Sequence, residues 1–295
     1  MSPEAFDFHP DEVLTLAMPT RWLSGLLTLA IAAASATAQD VPLAPVRESG
    51  QTVTPVFEGW YKNANGTFSI SFGYFNRNAS ERLDIPVGPA NNISSGDANQ
   101  GQPTHFAPRR HWGVFAVRVP ADFGEKKLVW TLSIRGKTYA IPGHLKPAWE
   151  IDALQGEAGS GNTPPAVRFD SAGAAGRGPG GIVGPPMKAT VGKPVTLTVF
   201  ATDDGTAARS IASEGRANAP VSLAWFKHQG VGDVVFATDA LQAPGPIGKA
   251  TTTATFSMPG EYVLRVRAND ASGVVGAGHA QCCWTNGFVK VTVTP

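Results

Sequence analysis

The stretch Thr67-Phe68-Ser69-Ile70-Ser71-Phe72-Gly73-Tyr74 alternates without a break, with Phe68, Ile70, Phe72 and Tyr74 at every second position. A period of two fits a pleated strand, whose side chains point to opposite faces, and fits no helix. The expectation is a half-buried strand with those four residues inward. Asn65-Gly66 stands just before it and Trp60-Tyr61-Lys62 upstream, a hairpin signal because both turn residues accept positive φ. Strand-like runs recur at 82–87, 114–119, 128–134 and 138–145. They return at 194–202, 221–227, 233–237, 251–257, 261–268 and 287–294. Beyond the N-terminal segment no stretch carries a 3.6-residue period, so the chain is expected to be all-β. The 33 glycines and 24 prolines agree with many turns.

Breakers divide these runs into two bodies. The first covers 53–154, after a segment at 39–52 expected to be disordered, and the second covers 166–295. Residues 155–165 (QGEAGSGNTPP) lack periodicity and read as a linker. Within the first body, 88–110 is polar and too long for an ordinary hairpin turn, hence a functional loop or a surface excursion. The second body carries a glycine-rich insert at 171–186, expected to be mobile, and a long polar loop at 203–220.

The second body also carries a resemblance. Pro259-Gly260-Glu261-Tyr262-Val263-Leu264-Arg265-Val266, followed by Asn269-Asp270, resembles the penultimate strand of PKD and related immunoglobulin-like domains. Residues 199–205 (VFATDDG) and Trp225 on a central run extend that resemblance across 162–295. It implies a core role for Trp225 and, for Tyr262, a tyrosine corner whose hydroxyl ties back to nearby backbone. The chain departs from the PKD pattern at Gly230-Val231-Gly232-Asp233, where Gly-Asp-Gly is usual. In the first body, Phe57-Glu58-Gly59-Trp60-Tyr61 and Gly101-Gln102-Pro103-Thr104 resemble stretches of exported bacterial proteins with no assigned activity. The combined expectation is two tandem immunoglobulin-like β-sandwich domains after an N-terminal signal peptide.

The signal is read from Arg21, the apolar run 22–34 and Ala36-Thr37-Ala38, which together predict cleavage after Ala38. Residues 1–17 are acidic where a signal should be basic, and a start at Met18 would repair this. An uncleaved anchor is the alternative, although the run is shorter than the roughly 20 residues that cross a bilayer. No later stretch is apolar enough to span, so no membrane span is expected once the signal is removed. Residues 1–38 hold one basic residue, Arg21, and four acidic ones, so the remainder carries 23 basic and 19 acidic groups. That mild excess contains no basic block, which argues against a nucleic-acid partner.

Four groups of residues have chemical possibilities. Cys282 and Cys283 are the only cysteines of a chain expected in an oxidising compartment. An intramolecular bridge would have to be vicinal, across Cα atoms about 3.8 Å apart, short of the roughly 4.4–6.8 Å usual for disulfides. Two thiols, or pairing between chains, are the alternatives. His279, with His228, would supply further ligands if the cysteine pair held copper or zinc. Asp203, Asp204 and Asp270 sit at strand ends, where they supply part of a calcium shell of about six to eight oxygens or act as turn formers. His105, Arg109, Arg110 and His111 crowd the end of the long loop as a carboxylate or sulfate grip, or as a basic turn that keeps an edge soluble. Trp60, Tyr61, Trp112 and Trp149 would make a sugar-stacking platform if exposed, and core if not.

No motif places a nucleophile beside a base. The leading expectation is a periplasmic or extracellular non-enzymatic module for binding, adhesion or scaffolding, with a protein or polysaccharide partner and no cofactor except calcium. The competing expectation is a secreted hydrolase or a redox or metal accessory with a site assembled across loops.

Overall fold

The computed structural model describes residues 46–94, 96–151, 162–204, 221–244, 248–270 and 283–295. The signal, with its cleavage site and the start at Met18, lies outside the described residues, as do most of the linker, most of the 203–220 loop, His279 and Cys282. Val46–Pro295 forms one compact unit. Among the described residues the only helical turn is a 3-10 turn at Pro147–Trp149.

The first body contains β1 (Val53–Lys62), β2 (Phe68–Asn76), β3 (Leu83–Asp84), β4 (Asn91–Ile93), β5 (His105–Phe106), β6 (Arg109–Val119), β7 (Leu128–Ile134) and β8 (Lys137–Gly143). β1 and β2 form the hairpin expected at Asn65-Gly66, with Gly66 at φ +82. Two antiparallel sheets, β1-β2-β6 and β4-β7-β8, enclose one core, and β3 pairs with β5 beside them. Trp130 of β7 is fully buried there, edge-on to Phe72 at 5.9 Å and to Phe115 at 5.0 Å. Such pairs contribute about 0.5–1.5 kcal/mol each beyond the area they bury. Its indole N–H donates to Asn91 Oδ1 at 3.0 Å, which satisfies the one polar atom it brings inside.

Ile70, Phe72 and Tyr74 point inward as the alternation predicts. Ser69, Ser71 and Gly73, on the opposite face, are buried as well, so β2 is covered on both sides rather than half-buried. Glu58 and Arg110 of the first body lie over Gly73, and the second body packs beside them. Gly180 N donates to Tyr61 Oη at 2.8 Å, and Trp284 lies against Gly113 of β6.

The second body contains β9 (Ala166–Arg168), β10 (Ile182–Val183), β11 (Met187–Thr190), β12 (Val195–Thr202), β13 (Val221–Gln229), β14 (Val234–Phe236), β15 (Ala240–Ala243), β16 (Gly248–Phe256), β17 (Gly260–Asn269) and β18 (Trp284–Thr294). One sheet runs β14-β16-β12-β9. The other runs β10-β18-β17-β13-β15, with β11 also on β18. That division, with the first, second and fifth major strands opposite the third and the last two, is the immunoglobulin-like sandwich. The strand expected at 233–237 belongs to a longer excursion. β14 extends the β16 edge, then β15 crosses to pair with β13.

Trp225 is buried in this core, as the resemblance implies. Val289, Val291 and Val293 point inward while Lys290 and Thr292 are exposed. Tyr262 is a tyrosine corner. Its hydroxyl donates to Met258 O at 2.8 Å and accepts from Gly232 N at 3.1 Å.

Candidate ligand-binding site

Residues 99–104 of the polar stretch lie at the seam between the bodies. Gln102 is fully buried. Gln229 Nε2 donates to Gln102 O at 2.6 Å, Thr104 N to His228 O at 2.9 Å, and His228 Nε2 to Gly101 O at 2.7 Å. The glycine-rich insert is wedged into the same interface. Gly178 and Pro179 are buried, and Asn286 N donates to Gly178 O at 3.2 Å.

Between these contacts lies a cavity of about 390 Å³. Tyr74 and Val114 line it from the first body, with Arg82 and His105 toward β3 and β5. Trp225, Phe226, Lys227 and His228 of β13, Phe236 of β14, and Arg265 of β17 line it from the second. A second cavity of about 470 Å³ lies on the other side of His228, among Phe115, Val183, Phe288 and Lys290.

Arg265 is the unusual group. It is 2% exposed, and among the described residues no carboxylate pairs with it. Nη1 donates to Asn286 Oδ1 at 3.0 Å, the Phe226 ring covers the guanidinium face at 4.4 Å, and Nε has no acceptor. Burial, aided by the neighbouring Arg267, pulls its pKa down to about 9, so it still carries its charge at neutral pH. The Asn286 amide is oriented by its other bonds. Nδ2 donates to Gly113 O at 2.7 Å and Pro179 O at 2.8 Å, which turns Oδ1 toward the guanidinium.

Other polar groups here are committed to structure. Asp84 Oδ1 lies 2.8 Å from His105 Nδ1 and 3.2 Å from Lys227 Nζ. Burial opposes ionisation of Asp84, but its contacts with His105 and Lys227 hold its carboxyl below the usual range. His228 is buried, and burial together with Arg265 lowers its pKa to about 3.

The expected anion grip is not one constellation. Arg109, Arg110 and His111 lie in β6, not at a loop end, because β6 continues past Gly113 to pair with Tyr74, Phe75 and Asn76. Strand alternation then separates neighbours. Arg110 pairs with the buried Glu58 at 2.6 Å and lies over Trp112, whereas His111 stacks on Tyr74 and meets Phe226. Arg109 covers the Phe75 ring, and His105 alone of the four lines the cavity. Burial and the charge of Arg265 lower the His111 pKa to about 3.

The carboxylates of Asp203, Asp204 and Asp270 do not gather. Asn162 Nδ2 donates to Asp270 at 2.7 Å and Thr163 Oγ1 to Asp204 at 2.6 Å. Among the described residues no three His, Cys, Asp or Glu side chains could hold a metal ion. Cys283 is buried and has no free thiol. Trp60 and Tyr61 are buried and Trp112 half-buried, leaving Trp149 as the one exposed member of the aromatic platform.

Sequence reasoning missed Arg265. It alternates with the inward residues Leu264 and Val266, a position normally facing solvent, and no local signal shows that the first body covers that face.

The fold and site together define an all-β protein with an immunoglobulin-like sandwich and a basic, aromatic-walled cavity at its junction with a second β body. No protein-family model and no curated protein matches this chain. Solved structures similar in part include the PKD domain of an M14-like peptidase from a Thermoplasmatales archaeon, at 16% identity over 45% of this chain and 94% of that one, TM-score 0.24. The D00-D0 domain of intimin aligns at 13% identity over 83% of this chain and 100% of that one, TM-score 0.27. The Yersinia pseudotuberculosis adhesin InvE aligns at 13% over 83% and 58%, TM-score 0.26. Likeness at this level carries no argument, and the fold assignment rests on the strand order itself. Among the described residues no helix is long and apolar enough to cross a membrane.

Proposed function

We propose that this chain is an exported, non-catalytic binding module whose ligand sits in the cavity between the two bodies. The observation that carries the reading is that cavity, with aromatic walls around a buried arginine that lacks a carboxylate partner. Concave, mostly apolar sites with few convergent polar groups are where ligands bind. The histidines lining it support binding over catalysis, since His105 is held by Asp84 and His228 donates to a backbone carbonyl. Export is supported by the signal-like segment at 1–38. In the same reading, 53–154 and 166–295 are two domains joined at 155–165, and the partner is a protein or polysaccharide.

The test is thermal unfolding of the chain from Gln39 onward against glycans and peptides. A ligand that binds only the folded state raises the midpoint. The expected result is a rise with at least one ligand that disappears in Phe226→Ala, which opens the cavity wall. A rise unaffected by Phe226→Ala would move the site elsewhere, and a flat panel would count against a binding module.

A further inference from the structure

Arg265 shows which ligand chemistry the cavity suits. A buried guanidinium normally faces a carboxylate, because desolvating it alone is costly. Here one nitrogen is held by Asn286 and one face by Phe226, so the group is fixed in place but not neutralised. The edge formed by Nε and Nη2 has no acceptor among the described residues. Two parallel N–H donors on a rigid edge match the two coplanar oxygens of a carboxylate. We infer that the cavity receives a carboxylate borne on a ring, and that Arg265 is the group that binds it. This rests on the cavity being the ligand seat.

A single negative charge fits better than a phosphate. Lys227 is already engaged by Asp84 and Gly232 O, and the acidic residue Asp239 also lines the cavity. A dianion would meet that acid with Arg265 as the one uncommitted buried cation, since Arg82, the other arginine of the lining, is exposed to solvent. The ring follows from the walls. Phe226, which lies over the guanidinium, and Tyr74 of the first body line the cavity with aromatic surface beside the charge.

The experiment compares galacturonic acid, galactose, 4-hydroxybenzoate, acetate, sulfate and phosphate by thermal shift and calorimetry at pH 7. Wild type, Arg265→Met and Arg265→Lys are used, with circular dichroism to confirm folding. The expected result is a midpoint rise with a ring-borne acid and none with galactose, affinity falling roughly 30-fold or more in Arg265→Met. Arg265→Lys should fall between, since it keeps the charge and loses the fork. A response to galacturonic acid alone identifies the carboxylate as that of a sugar acid, and one to 4-hydroxybenzoate alone as that of an aromatic acid. Acid binding that persists in Arg265→Met, or galactose binding as well as its acid, would overturn the inference and leave the cavity open to another ligand. Equal shifts with acetate, sulfate and phosphate would mean an adventitious ion only. No response to any acid overturns it too, and the Phe226→Ala panel then decides the binding module separately.

Discussion

Trp284 of β18 lies directly on Gly113 of β6, its indole N–H donating to the Gly113 carbonyl at 3.2 Å. Gly113 adopts φ +45, and a Cβ built there would fall inside the Trp284 ring. The two residues belong to different bodies, so this contact locks one against the other. Both the conformation and the space require glycine. Gly113→Ala is therefore expected to destabilise the chain by about 2–3 kcal/mol, from overpacking and a strained backbone together. Urea unfolding checks it. A midpoint within error of wild type would show that the interface yields easily.

The tyrosine corner makes a separate prediction. Tyr262→Phe removes the acceptor of Gly232 N and the donor to Met258 O, leaving the buried Gly232 N–H unpaired. The expected loss is about 1–3 kcal/mol. Tyr139→Phe is the control. It removes a half-buried bond to Thr52 Oγ1 at 2.9 Å, where water can substitute, and less than about 1 kcal/mol should follow. Equal losses in denaturant titrations would refute a special role for the corner.

Acid should weaken the fold earlier than its carboxylates require. His111 and His228 are neutral in the folded chain down to about pH 3, through burial first and the charge of Arg265 second. Unfolded, each takes a proton near pH 6.5, so the unfolded state binds more protons between about 6.5 and 3. Stability is then flat above that window from this cause and falls as pH drops through it. The slope approaches about 1.4 kcal/mol per pH unit for each histidine. Between pH 6.5 and 5 the effect stands clear of carboxylate titration. The double variant His111→Asn, His228→Gln should flatten the slope there in unfolding curves at pH 7, 6 and 5. Parallel slopes would exclude the histidines as its source.

Local periodicity made one sandwich readable and hid the other half of the design. Trp225, Tyr262 and the inward valines of β18 follow from a period of two and the turn before Tyr262, which are local signals. Burial of Ser71, Arg265 and Gln102 follows from docking between bodies, which leaves no mark on nearby residues. β10 and β11 were invisible for a related reason, since they are held by parallel backbone pairing to β18 some hundred residues away. β6 begins at Arg109 rather than at Val114, where the sequence pattern starts, because its first half is a polar run. Its pairing with β2 resumes only after a register shift between Phe72 and Tyr74.

Cys283 has no free thiol, and the chain holds one other cysteine, Cys282. If the two form a vicinal bridge, alkylation in denaturant without reductant should label neither, on a monomer. Labelling of both would end the bridge, and a reducible dimer would place the bond between chains.

Arg110 and Arg265 should respond in opposite ways to the same substitution. Arg110 pairs with Glu58, which is 3% exposed, so Arg110→Met takes the guanidinium away from a buried carboxylate and should cost roughly 3 kcal/mol. Arg265 has no carboxylate to abandon. Arg265→Met loses one bond to Asn286 and the Phe226 contact but removes an uncompensated buried charge, and a methionine fills similar space. Its midpoint should equal or exceed that of wild type. A residue whose removal stabilises the fold is kept for something other than folding, and a ligand site is where such a cost is expected. If urea unfolding instead shows Arg265→Met losing as much as Arg110→Met, then Arg265 is structural, and the cavity loses its main reason to be read as a site.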